Sequence, residues 1–175
     1  MHTPRATDSP QDRFQELLER HRRIILKVAS TYCRDAEDRR DLTQEISVQL
    51  WRSFPRYDEE RSFSTWMYRI ALNVAISYAR GAGHRARHAV PLDESADGPA
   101  DERAAVPESD PRVQALHRVI DQLDPLNRAL ALLYLEERSY REIAEVLGIT
   151  ETNVATKIHR LKQRIRTGFA AAEPR

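Results

Sequence analysis

The stretch SYREIAEVLGITETNVATKIHRLKQRI, residues 139–165, restricts the possible folds more than any other part of the chain. Ser139 followed three residues later by Glu142 is the pattern of a capping box, in which each side chain satisfies an otherwise unpaired backbone amide at a helix start. It predicts a helix from Tyr140, with Ile143 and Leu147 facing inward and Ala144 small enough to let another helix approach. Gly148 tolerates the left-handed conformation that ends a helix, and Thr150 suits the cap of the next one. In that next helix Val154, Ile158, Leu161 and Ile165 share one face. Thr152, Thr156, Arg160 and Gln163 project from the opposite face, flanked by Asn153 and Lys157.

Two helices joined by a tight turn, with hydroxyls, an amide and a guanidinium near the start of the second, fit the DNA major groove. There arginine pairs with guanine and asparagine with adenine. Lys162, Arg164 and Arg166 would add phosphate attraction without sequence information. A plain helical hairpin with a solvated polar face is the alternative reading of the same pattern.

Upstream, three apolar stripes recur at helical spacing. Phe14, Leu17, Leu18, His21, Ile24, Ile25, Val28 and Tyr32 form the first. Leu42, Ile46, Leu50 and Phe54 form the second, ended by Pro55. Phe63, Trp66, Met67, Ile70, Ala71, Val74 and Tyr78 form the third, expected to end near Gly81 and Gly83. Three such helices close a small bundle. Between residues 89 and 110 prolines and small or acidic residues interrupt every period, which reads as a linker. Pro111, with Asp110 as its cap, opens a further helix carrying Val113, Leu116, Ile120 and Leu123, and Asp124 with Pro125 repeats that start signal for a helix to about Glu136. The expected architecture is all-α: a tail at 1–11, a helical bundle at 12–88, the linker at 89–110, a helix-turn-helix domain at 111–169 and a tail at 170–175.

The formal net charge of +1 conceals an uneven distribution. Residues 61–88 carry five arginines and no acid, whereas residues 92–110 carry Asp93, Glu94, Asp97, Asp101, Glu102, Glu108 and Asp110 against Arg103 alone. Local charge of this kind steers partners where the total does not. Cys33 is the single cysteine, so no intrachain disulfide forms and a reducing compartment is the simpler expectation. With no apolar signal core at the start and no run long enough to cross a bilayer, the sequence predicts a cytoplasmic protein. His84 and His88 have the spacing of a helical metal pair, but no carboxylate or thiol neighbours them, so neither a metal nor another cofactor is expected.

Three motifs in order, DLTQEISVQLW at 41–51, SFSTWMYRIALNVAISYAR at 62–80 and LDPLNRALALLYLEERSYREIAEVLGITETNVATKIHRLKQRI at 123–165, resemble a bacterial RNA polymerase sigma factor of the extracytoplasmic-function group. The resemblance covers nearly the whole chain from Phe14 to Arg166. It implies a non-catalytic promoter-specificity subunit. Asp41, Leu42, Gln44, Glu45 and Gln49 then fall on the helix that meets the clamp helices of the polymerase's largest subunit, and the flap of the second-largest subunit becomes a further partner.

The resemblance likewise assigns Arg56, Tyr57, Asp58, Phe63, Trp66, Arg69, Asn73 and Arg80 to the minus ten element and its melting. Among these aromatics Tyr57 is the expected exposed stacking candidate, Phe63 and Trp66 lying on the apolar stripe. Arg141, Thr152, Asn153, Thr156, Lys157 and Arg160 fall to the minus thirty-five element. Many members carry an acid near the position of Ser77, a departure that leaves the partner of that turn open. An anti-sigma protein is a further partner the family leads one to expect, and the acidic linker resembles a segment that members thread through a basic polymerase channel.

Magnitudes limit what such a chain does alone. Opening about ten base steps at roughly 1.4 kcal/mol each costs on the order of 14 kcal/mol, and one stacked base returns roughly 1 to 3 kcal/mol. The chain would therefore nucleate melting while polymerase supplies most contacts. Two alternatives remain at this level: a helix-turn-helix regulator acting on an operator without polymerase, and a decoy that binds polymerase or an anti-sigma protein.

Overall fold

Ser9 opens the first helix by the same device that Ser139 uses later: its hydroxyl accepts from the Asp12 backbone N–H at 3.2 Å, and Asp12 accepts in return from the Ser9 N–H. Pro10, in the first helical position, gives up no hydrogen bond there. The helix thus starts two residues before the expected bundle boundary. The computed structural model describes residues 9–88 and 111–172. The expected linker at 89–110, including Asp110 as a cap, lies outside them.

The described elements are α1 (Pro10–Tyr32), α2 (Ala36–Ser53), a 3₁₀ turn (Phe54–Arg56), α3 (Phe63–His88), α4 (Pro111–Asp121), α5 (Pro125–Leu135), α6 (Tyr140–Leu147) and α7 (Glu151–Ala172). The fold is all-α, with no strand among the described residues. Two compact units are present, residues 1–75 and residues 76–175, and the division falls within α3.

In the first unit α1 packs on α2, which is capped by the Asp35 carboxylate accepting from the Glu37 and Asp38 N–H groups. These bonds hold the exposed Asp35 carboxyl below its ordinary value. Ile24, Ile25 and Val28 of α1 and Leu42, Ile46 and Leu50 of α2 are buried as their spacing predicts. On α3 the buried face is broader and rotated relative to the expected stripe. Tyr68, Leu72, Ala75 and Ile76 are buried with Phe63, Met67 and Ala71, while Trp66, Ile70, Val74 and Tyr78 are only half-buried. The helix also runs through Gly81 and Gly83 to His88, where the sequence predicted an end. Glycine in a helix costs about 1 kcal/mol against alanine but, unlike proline, removes no hydrogen bond, so helix-forming neighbours can carry the chain past it.

In the second unit α7 packs against α4, α5 and α6. Asp124 caps α5 by accepting from the Asn127 N–H at 3.1 Å. Arg128, one turn later, donates to the carbonyls of Asp121 and Leu123 at 2.9 and 3.3 Å, tying the end of α4 to the start of α5. Leu130, Leu133, Ile143, Val154 and Ile158 form the wholly buried centre. On α6 Ile143 is buried as expected, Leu147 is only half-buried, and Val146, which the spacing did not single out, is buried.

Candidate nucleic-acid and protein interfaces

Helix α6 ends as its glycine requires. Gly148 adopts φ 67°, and the Ile149 N–H reaches the Ala144 carbonyl at 3.1 Å. The Thr150 hydroxyl then accepts from the Asn153 N–H at 3.2 Å and starts α7. At the other end of α6 the Glu142 carboxylate accepts from the Ser139 N–H at 2.9 Å and from Arg138 at 3.2 Å. The Ser139 amide chiefly holds Glu142 below the ordinary carboxylate value, against an opposing push from partial burial.

This turn presents Arg141, Thr152, Asn153, Thr156 and Arg160 to solvent, with Lys157 half-buried. Thr156 donates its hydroxyl proton to the Thr152 carbonyl at 3.1 Å while the residue stays exposed. His159 also lies on this exposed face, bonded to Gln163 at 3.1 Å. Sequence reading omitted it, although helical spacing places it between Thr156 and Gln163. Lys162 is different from the expectation: its ammonium sits 4.9 Å from the centre of the Tyr134 ring, and hydrogen bonding to Tyr134 raises its pKa. It is engaged within the unit, whereas Arg164 and Arg166 are exposed.

The residues following the 3₁₀ turn form a second candidate surface. Arg56 and Asp58 are exposed, as are Arg69, Asn73 and Arg80 at four and seven residue steps along α3. Tyr57 departs from its expected exposure. Its ring lies against Phe54, Phe63 and Trp66 at centroid distances of 6.0, 5.3 and 5.0 Å, and its hydroxyl donates to the Arg61 carbonyl at 2.7 Å. Burial first, then the nearby Glu59 charge, raises its pKa. Phe63 is core, and Tyr57 and Trp66 are half-buried, so the first residue of the loop at 57–62 is anchored on the Phe63 and Trp66 rings. Asp58 accepts from the Glu60 N–H at 3.0 Å and stands 3.8 Å from Arg61.

A third surface lies on α2. Asp41, Gln44, Glu45 and Gln49 are exposed, but Leu42 is wholly buried and can only support its neighbours. Val48 and Trp51, 43% and 44% exposed, are the apolar residues that sequence reading overlooked. Their signal was phase: they fall off the stripe made by Leu42, Ile46 and Leu50. The result is an acidic and amide-rich face with an apolar centre, suited to a protein partner with basic and apolar groups.

Among the described residues no helix is long and apolar enough to cross a membrane, and no group of three metal-ligating side chains occurs. The side chains of His84 and His88 lie outside those described.

Residues 17–85 match the family Sigma-70 region 2, and residues 113–165 match Sigma-70, region 4, together more than half of the chain. An ECF RNA polymerase sigma factor SigE of Mycolicibacterium smegmatis is 30% identical over 90% of this chain, which spans 62% of that protein's length. The RNA polymerase sigma-H factor of Pseudomonas aeruginosa is 28% identical, with 87% of this chain and 83% of that protein covered. The ECF RNA polymerase sigma-E factor of Escherichia coli is also 28% identical, with 92% and 88% covered. In fold, the chain is similar to the sigma factor RpoE of Bartonella quintana, solved with the anti-sigma factor NepR, at a TM-score of 0.68 and 18% identity over 91% of this chain and 98% of that one. CnrH, solved with the cytosolic domain of CnrY, gives 0.67 at 22% identity over 93% and 91%.

Proposed function

The chain belongs to the extracytoplasmic-function group of the sigma-70 family, and we propose that it is a promoter-specificity subunit that directs core RNA polymerase to a two-part promoter. The observation that carries this reading is the presence of both family regions in order on one chain. A regulator acting alone on an operator has no need of the first.

In this reading the face of Asp41, Gln44, Glu45, Val48 and Gln49 docks on the polymerase. Asn153 and Arg160 read base edges of the minus thirty-five element, supported by Arg141, Thr152, Thr156 and Lys157. The loop at 57–62 receives a base extruded from the minus ten element, with Arg56, Arg69, Asn73 and Arg80 holding the strand. Packing of Tyr57 on Phe63 and Trp66 anchors the start of that loop. The chain supplies no catalysis of its own and works in the cytoplasm, where polymerase meets DNA. An anti-sigma protein is a fitting regulator, since a protein of like fold was solved with such a partner.

The test is to add the purified chain to sigma-free core polymerase and look for promoter-specific transcripts. Transcripts support the reading. Duplex binding without transcripts, and without association with core, would transfer the chain to the operator-binding class.

A further inference from the structure

Arg13 of α1 forms an ion pair with Glu59 of the loop at 57–62. Arg13 precedes the matched family segment, which begins at residue 17. We propose that this pair is a brace: Arg13 is a positioning residue that holds the loop in the geometry that receives an extruded base. The inference rests on the role given to that loop above.

Three observations carry it. The backbone of Arg13 is held from both sides. Its N–H donates to the Ser9 carbonyl at 3.0 Å within the capped first turn, and the next residue, Phe14, is buried with its ring 5.0 Å from Phe54 and 5.2 Å from Trp51. The guanidinium therefore extends from a fixed backbone, so forming the pair requires ordering of the side chains but not of the Arg13 main chain.

The loop is closed on itself by local bonds, the Glu60 N–H donating to the Asp58 carboxylate and the Arg61 N–H to the Asp58 carbonyl, both at 3.0 Å, and these bonds do not attach its acidic tip to α1. Tyr57 bonds to the Arg61 carbonyl, and Asp58 approaches Arg61, so both ends of the loop are held together. Glu59 lies between them, and Arg13 supplies its anchor outside the loop.

The loop also carries three successive carboxylates, Asp58, Glu59 and Glu60, on a surface assigned to a polyanion. Arg61 stands by the first and Arg13 by the second, so the brace offsets charge that would repel the strand.

Exposed ion pairs contribute little to global stability, so the effect belongs to the loop and not to the fold. The discriminating variant is Glu59→Gln. If Glu59 only repels DNA, its neutralisation speeds promoter opening. If it is half of a brace, neutralisation slows opening.

The full chain, assembled with core polymerase, is assayed by fluorescence of 2-aminopurine placed in the minus ten region, with core association and duplex binding measured in parallel. Glu59→Gln and Arg13→Glu should each slow opening about two- to fivefold, and the Arg13→Glu/Glu59→Arg pair should restore it, with core association unchanged throughout. A loop in which residues 58–61 are replaced by a Gly-Ser segment is the control for the reading beneath. If that replacement slows opening but Glu59→Gln is neutral or faster, or the charge swap fails to restore the rate, the brace is overturned and the loop's role stands. If the replacement itself changes nothing, the loop's role falls and the brace with it.

Discussion

Gly168 of α7 lies so close to Val119 of α4 that a Cβ on the glycine would stand 2.6 Å from the valine Cγ2. The crossing of these helices thus depends on a missing methyl group. Val119 is β-branched and has little rotamer freedom with which to retreat. Gly168→Ala should therefore lower the stability of the second unit by about 1 to 3 kcal/mol, reduced by up to about 1 kcal/mol from alanine's better helix propensity. Thermal unfolding followed by circular dichroism checks this. The double variant Gly168→Ala/Val119→Ala should recover most of the loss, and no recovery would mean the clash lies elsewhere.

Acid should loosen the helix-turn-helix through its caps. Glu142 titrates below its ordinary value of 4.5 in the fold, chiefly because the Ser139 amide donates to it. Burial alone would raise Asp124, but the Asn127 backbone and side-chain bonds outweigh it and leave that carboxyl below 3.8. Folding thus favours the deprotonated forms. Their stabilisation is complete above the ordinary values and disappears as the pH falls through the lower folded ones. Urea unfolding from about pH 6 to about pH 3 should show a declining midpoint, and Glu142→Gln should flatten part of that slope. Ser139→Ala should cost about 1 kcal/mol at neutral pH.

The α2 face separates contact from support. Asp41→Lys should weaken association with core polymerase about tenfold or more by opposing a basic partner, and Val48→Ala should weaken it through lost apolar burial. Neither should shift the melting temperature, since both side chains are exposed. Leu42→Ala should do the opposite, destabilising the first unit by about 2 to 5 kcal/mol. Equal effects of all three on folding would remove the distinction.

On α7 the basic residues should divide into readers, phosphate contacts and a structural cation. Arg160→Ala should cost about 1 to 3 kcal/mol of specific binding and relax preference at one base pair. Arg164→Ala and Arg166→Ala should each reduce the salt dependence of binding by about one unit of slope. Lys162→Ala should barely alter that slope, because its ammonium is occupied by Tyr134. Equal slopes for all three variants would place Lys162 on the DNA instead.

The elements that were legible in the chain are those whose causes lie within a turn or two of sequence. Ser139 with Glu142, Gly148, Thr150 and Asp124 act on amides and carbonyls three to five residues away, so their geometry follows from local spacing. The stripe of Val154, Ile158 and Leu161 likewise follows from helical period alone. Folding in three dimensions settled matters of another kind: that Tyr57 packs on Phe63 and Trp66, that Val48 and Trp51 are partly exposed, that α3 passes through its glycines, and that Val119 needs a glycine opposite. The last of these depends on residues far apart along the chain, as do Phe14 against Phe54 and Arg13 against Glu59. Periodicity names the side of a helix that is apolar but not which partner fills it, because packing is decided by the volumes that meet there.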